Sequence, residues 1–299
     1  MRTCVAVADA GQFQGAAVDL SISQQAVSKR IAALEKDLGV RLFTRTARGA
    51  RLTGDGEAFL PHARELLRIA ERAVASIRPG RRALRVDVIG RRLAPAGLAR
   101  GFHDAHPDIE IEVVTLFDAE QAIDAVRSGA IDASFRAVNP RRVPDGVEAI
   151  RVYDEPIELL TGPAHPLADA GTAATTALAG ARIWMPGVVS GTEWAAYYDD
   201  LAESFGLDID SAGPYFGAEQ LLDTLAAEPH LATFVGAQTH LVWPAEYGLR
   251  RVPVHDPTPV YPHFLLRRAD NPHPALAALR THLGTAAPTA GTWTPAWAG

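Results

Sequence analysis

The chain has 299 residues, 47 % of them hydrophobic, a mean hydropathy of zero and a formal net charge of −6. That length predicts two or three cores rather than one; no apolar run approaches the ~18 residues of a membrane span; Met1 to Ala10 is too short and mixed for a secretory signal; and the lone Cys4 excludes an internal disulfide, so a cytoplasmic protein is expected. The charge is uneven, with 14 Lys and Arg against 8 Asp and Glu up to Arg82 and 15 against 27 after it, which predicts a nucleic-acid module joined to an acidic domain with another task.

A short first helix is expected over Arg2 to Ala10, ended by Gly11. Phe13, Ala16, Ala17 and Leu20 then fall on one face of a second helix. After a turn at Ser21 and Ile22, Ser23 is a good N-cap for a third helix whose buried stripe is Val27, Ile31 and Leu34. The other face carries Gln24, Gln25, Ser28, Lys29 and Arg30, without a carboxylate. Such a face suits the major groove of double-stranded DNA, because amides pair bidentately with adenine and Arg or Lys with guanine; an ordinary solvated helix face usually mixes both signs of charge. Val40, Leu42 and Phe43 read as a short strand, and Arg45, Arg48 and Arg51 surround a turn at Gly49. A wing with three arginines can follow phosphates or enter a minor groove.

The run Phe13 … Ser23-Gln24-Gln25-Ala26-Val27-Ser28-Lys29-Arg30-Ile31-Ala32-Ala33-Leu34-Glu35 … Leu38-Gly39-Val40-Arg41-Leu42-Phe43-Thr44-Arg45, with Arg48-Gly49-Ala50-Arg51-Leu52-Thr53, Gly56 and Glu57, resembles the winged helix of LysR-type transcriptional regulators. The resemblance is dense and collinear up to Glu57. It implies an α/β fold with an N-terminal all-α winged helix-turn-helix and a C-terminal two-lobed domain similar to periplasmic solute-binding proteins. Family members usually begin several residues earlier, so the first helix reads as short by a turn or more, and Cys4 falls where the family usually has a core aromatic.

From Asp55 to Arg78, Phe59, Leu60, Ala63, Leu66, Leu67, Ala70, Ala73, Val74 and Ile77 recur at helical spacing over about six turns, and Pro79-Gly80 stop the helix. The resemblance makes this the dimerisation helix, and implies a homodimer or a homotetramer built as a dimer of dimers. After Arg81-Arg82 strands and helices alternate: strand Leu84 to Ile89, helix Leu93 to Ala105, strand Ile109 to Phe117, a helix capped by Asp118, and strand Ile131 to Phe135. That order predicts a parallel sheet with helices on its faces. Val152 to Gly162 reads as a crossover into a second α/β lobe with strand Ile183 to Met185, helices Thr192 to Phe205 and Ala218 to Ala227, and strand Leu231 to Val235. Val260 to Leu266 returns to the first lobe, and a helix opened by Pro274 follows. The domains are expected at 1–54 (DNA binding), 55–80 (linker helix) and 81–285 (effector domain, lobe I 83–152 and 260–285, lobe II 153–259). Residues 286–299, rich in Ala, Pro, Thr and Gly, are expected to be a disordered tail despite Trp293 and Trp297.

Ligands of such sheets lie beyond the carboxyl ends of strands and between lobes. That places Gly90, Arg91, Arg92, Arg136, Pro186, Ser190, Thr192, Phe216 and Thr233 at the candidate effector site. Where the family commonly has Ser or Thr after the first strand, this chain has Arg91 and Arg92. Facing the cleft with Arg136, they would take a carboxylate or phosphate; alternatively they face solvent or pair with Asp and Glu across the lobes. Ser190 and Thr192 are either ligand contacts, approached through Gly187 and Gly191, or plain helix caps. Trp184, Trp194, Tyr197 and Tyr198 sit close in sequence, and aromatics at helical spacing point to core more often than to the cleft. The ten histidines lack metal spacing and no Gly-rich phosphate loop follows a strand, so neither an enzyme nor a metal or cofactor is expected. The expected partners are double-stranded DNA, a small-molecule effector, a second copy of the chain and RNA polymerase. The rival reading is a ligand-binding protein that has lost its operator.

Overall fold

The computed structural model describes residues 1–46, 49–76, 82–213 and 215–299, with the backbone alone for 45, 46, 68 and 71–76. The chain forms two compact units, Met1–Arg82 and Ala83–Gly299.

The first unit comprises helices α1 (Arg2–Ala10), α2 (Phe13–Asp19) and α3 (Gln24–Leu38), the antiparallel hairpin β1 (Phe43–Thr46) and β2 (Gly49–Leu52), and α4 (Gly54–Ser76). Gly11 ends α1 in the left-handed region at φ 64°, where a side chain would be strained. Cys4, Val7, Ala16, Val27, Ile31, Leu42 and Phe43 form the core, and each large apolar side chain there contributes roughly 1.5–3 kcal/mol by leaving water. Cys4 thus fills a core position. Its thiol pKa is raised, chiefly by burial. Gly49 lies so close to the α1–α2 corner that an added Cβ would sit 2.4 Å from the Gly11 carbonyl oxygen. That same oxygen accepts the Ala50 amide at 2.8 Å. The Thr53 hydroxyl accepts the Gly56 amide at 3.0 Å and opens α4, on which Leu66 and Ile69 remain 46 % exposed. Of the residues expected on this helix, Ile77 and Arg78 lie outside the described residues.

In the second unit β3 (Leu84–Asp87), α5 (Ala94–Ala105), β4 (Ile111–Val114), α6 (Ala119–Arg127) and β5 (Ala133–Arg136) build a parallel β4-β3-β5 sheet. The long β6 (Val147–Thr161) pairs β12 (Thr258–Arg268) as far as Pro156, then β10 (Leu231–Gly236) and β11 (Arg250–His255) from Ile157 on. Its partners change because β6 runs through both lobes. The second lobe adds β7 (Ala173–Ala174), β8 (Arg182–Trp184), α7 (Glu193–Phe205), β9 (Asp208–Asp210) and α8 (Ala218–Ala227). The short β7 and β9 offer too few residues for an apolar alternation, and sequence periodicity does not reveal them. α9 (Pro274–Leu283) packs on α5 in the first lobe.

The tail corrects the expectation of disorder. Thr292 and Trp293 form β13, paired in parallel with Thr258 and Pro259. Trp293 meets Tyr197 at 5.7 Å and Phe205 at 5.5 Å between ring centroids. Trp297 packs against both a second-lobe and a first-lobe core, and the Ala298 carbonyl accepts Arg151 Nη1 at 3.0 Å. Composition describes the average of the segment. Its two indoles supply enough apolar surface to fix it.

Candidate nucleic-acid interface and ligand cavity

In the first unit Ser23 has extended backbone and its hydroxyl accepts the Ala26 amide at 3.2 Å, the N-cap that starts α3. Val27 and Ile31 turn into the core, which leaves Gln24, Gln25, Lys29 and Arg30 exposed and Ser28 half-buried. Ser23 is spent largely on capping. The helix is pinned to the wing by Glu35, whose Oε1 accepts the Leu42 and Phe43 amides at 2.8 and 3.1 Å. This link is invisible to periodicity, because a lone Glu on a helix reads as solvated. Arg51 is exposed on β2, opposite Thr44. Arg45 is placed by its backbone opposite Ala50, and Arg48 lies outside the described residues. The surface can thus present two amides and at least three cations to a polyanion.

The second unit holds a cavity of about 600 Å³ between the start of α5 on one lobe and β8, α7 and β10 on the other. Of the expected ligand residues, Gly90, Arg92, Pro186 and Thr233 line it. Thr233 is only 1 % exposed and its hydroxyl donates to Met185 Sδ at 3.2 Å, so it shapes the wall instead of offering a donor. Arg92 is exposed and has no ion pair among the described residues. Gly187 lines the cavity at φ 85°, packed on Tyr215, whereas Gly191 does not.

Arg91, Arg136, Ser190, Thr192 and Phe216 are not brought to this cavity. Arg91 and Ser190 face solvent. Thr192 caps α7, its hydroxyl accepting the Ala195 amide at 3.3 Å. Phe216 is 78 % exposed. Arg136 is fully buried: Nη2 bonds Asp87 Oδ2 at 2.8 Å and the Leu116 carbonyl at 2.9 Å, and Nη1 bonds Glu193 Oε1 at 2.9 Å. Desolvation forces this pairing, since a buried guanidinium is tolerated only when its charge is answered; its Nε has no hydrogen-bond partner among the described residues.

Tyr197 is core, whereas Trp194 and Tyr198 reach the cavity together with Leu93, Val188, Phe234 and Leu241. Burial pushes the Tyr198 phenol well above its ordinary pKa, so it stays neutral. Gly236, at the carboxyl end of β10, and Leu93, beside Arg92, were reachable by the strand-end rule. Thr239 and Leu241 arrive on a loop, which no local pattern announces.

Residues 1–57 match the bacterial regulatory helix-turn-helix protein, lysR family, and residues 81–288 match the LysR substrate binding domain. The chain belongs to the LysR family. A probable hydrogen peroxide-inducible genes activator of Mycobacterium avium is 36 % identical to this LysR-family chain over 186 residues, 60 % of the chain and 58 % of the relative. The chain therefore spans under two-thirds of that relative's length. The HTH-type transcriptional regulator TfdT of Cupriavidus pinatubonensis is 35 % identical over 166 residues, 53 % of the chain and 71 % of the relative. The relatives are named as regulators, not enzymes. Full-length CbnR complexed with its target DNA shares the fold at a TM-score of 0.64 and 22 % identity, covering 94 % of the chain and 96 % of CbnR. Among the described residues no helix is long and apolar enough to cross a membrane.

Proposed function

We propose that this LysR-family protein is a cytoplasmic, homo-oligomeric transcriptional regulator that reads double-stranded DNA with α3 and the wing and answers to a small anionic effector in the inter-lobe cavity. The observation that carries the reading is the carboxylate-free face of a capped α3 in a chain whose other unit holds a ligand-sized cavity. Residues 1–54 serve as the DNA-binding domain, 55–80 as the linker helix and 81–285 as the effector domain. The half-exposed Leu66 and Ile69 are the surface that pairs two linker helices, as a dimer or within a tetramer, and RNA polymerase is the downstream partner.

Within the cavity Arg92 has no ion pair among the described residues, and α5 begins beside it at Leu93 without a side-chain cap, so both the charge and the helix dipole favour an anion. Trp194, Tyr198, Phe234 and Leu241 make the remainder apolar. The fitting effector is a compact, largely apolar carboxylate. Closure of the lobes around it changes the separation of the recognition helices, which must match half-sites roughly 34 Å apart or a multiple of that. The effector contributes only its differential affinity for the two arrangements. Direct thiol sensing of peroxide is disfavoured, since the only cysteine is Cys4, in the helix-turn-helix core with its thiol pKa raised.

The test is fluorescence anisotropy of the full chain on DNA flanking its own gene, at fixed salt, with and without a panel of small carboxylates. Binding that survives competitor DNA and shifts with a carboxylate, but not in Arg92→Ala, supports the reading. Binding no tighter than to random DNA refutes it.

A further inference from the structure

Glu193 is the first residue of α7 in the second lobe, and its carboxylate, 6 % exposed, is spent on the first lobe. Oε1 accepts Arg136 Nη1 at 2.9 Å, and Oε2 accepts the Ala119 amide at the start of α6 at 3.0 Å. Behind Arg136 stands Asp87, which is fully buried and also accepts the Ser134 hydroxyl at 2.6 Å and the Leu116 amide at 2.9 Å. The buried trio carries two negative charges and one positive. If the lobes part, Arg136 and Asp87 remain as a neutral, hydrogen-bonded pair within the first lobe, while Glu193 returns to water at a helix N-terminus, where a carboxylate is favoured. Nothing charged is stranded.

From this arrangement we propose that Glu193 is a releasable latch whose bonds to Arg136 and the α6 N-terminus set the balance between closed and open lobes. It adjoins Trp194 in the cavity wall, so a ligand that presses on this end of α7 acts on the latch directly. The inference rests on the reading above that the lobes move, and it adds the residue that governs the movement. Asp87 works against the latch, because it keeps Arg136 satisfied when Glu193 leaves. The two carboxylates therefore have opposite effects on closure, although both belong to one buried network.

A further inter-lobe bond, from the His240 amide to the Arg92 carbonyl at 2.8 Å, provides a readout independent of Glu193. Hydrogen exchange is followed by mass spectrometry in the full chain without DNA or effector. Glu193→Gln is expected to speed exchange over 236–242 by at least about tenfold, and Asp87→Asn to slow it. A Glu193→Gln change confined to 119–122, or acceleration over 236–242 in both variants, would mean only local support and would overturn the latch. Should Asp87→Asn fail to fold, judged by tryptophan fluorescence, the Glu193→Gln pattern alone decides. Anisotropy on the same samples separates the two readings. Loss of specific DNA binding in the parent, with the exchange pattern as expected, would sink the regulator and leave the latch standing.

Discussion

Removing the cation from the buried trio should be far more costly than removing Glu193. Arg136→Met keeps the approximate volume but leaves Asp87, fully buried, and Glu193, 6 % exposed, without their shared partner. Breaking a buried ion pair from one side costs about 3–5 kcal/mol, because the remaining charge keeps its desolvation penalty and loses its compensation. Asp87 retains Ser134 and Leu116 as donors, which places the expected loss near the lower end of that range. A unit of this size loses about 2–4 °C of melting temperature per kcal/mol, so a fall of roughly 6–12 °C is expected. All five tryptophans lie beyond residue 183, so intrinsic fluorescence during thermal or urea unfolding reports the second unit alone. The triple variant Asp87→Asn, Arg136→Met, Glu193→Gln should recover most of the loss, since it strands no charge. A single-variant loss below about 1 kcal/mol, the range of exposed pairs, or a triple variant as unstable as Arg136→Met, would refute this accounting.

Gln24→Ala should flatten preference for one base pair by about 1–3 kcal/mol, whereas Arg51→Ala should weaken all sequences alike and reduce the salt slope by about one; competition binding across salt concentrations resolves the two. Glu35→Ala orphans the Leu42 and Phe43 amides and should lower first-unit stability by about 1.5–3 kcal/mol, seen by circular dichroism with little change in tryptophan fluorescence. His165 has its pKa lowered, first by burial and then by repulsion from His230, and its Nδ1 accepts the Leu167 amide at 3.1 Å. The folded state therefore takes up this proton less readily than the unfolded state. The resulting destabilisation grows as the pH falls below the ordinary histidine pKa of about 6.5 and levels off once the lowered pKa is passed; His165→Asn should remove that part of the slope in melting curves taken between neutral and acidic pH.

The amino-acid sequence by itself determined the elements with strong local signals: Ser23 before an amphipathic run, Asp118 three residues before Gln121, glycines after α1 and α3, and the apolar period of α4 each have one local solution. The family also followed from collinear residues, because the recognition helix and wing are short-range features. Tertiary structure decided which polar groups were available. Arg136 and Arg92 look alike as arginines after strands, yet one is enclosed with Asp87 and Glu193 and the other stands exposed at the cavity without an ion pair among the described residues. Glu35 and Glu193 gain their roles from partners brought close only by folding, in Glu193's case the Ala119 amide, 74 residues away. The tail was misjudged for the same reason: composition counts what a segment contains, whereas Trp293 and Trp297 are held by cores assembled from residues far from them in the chain.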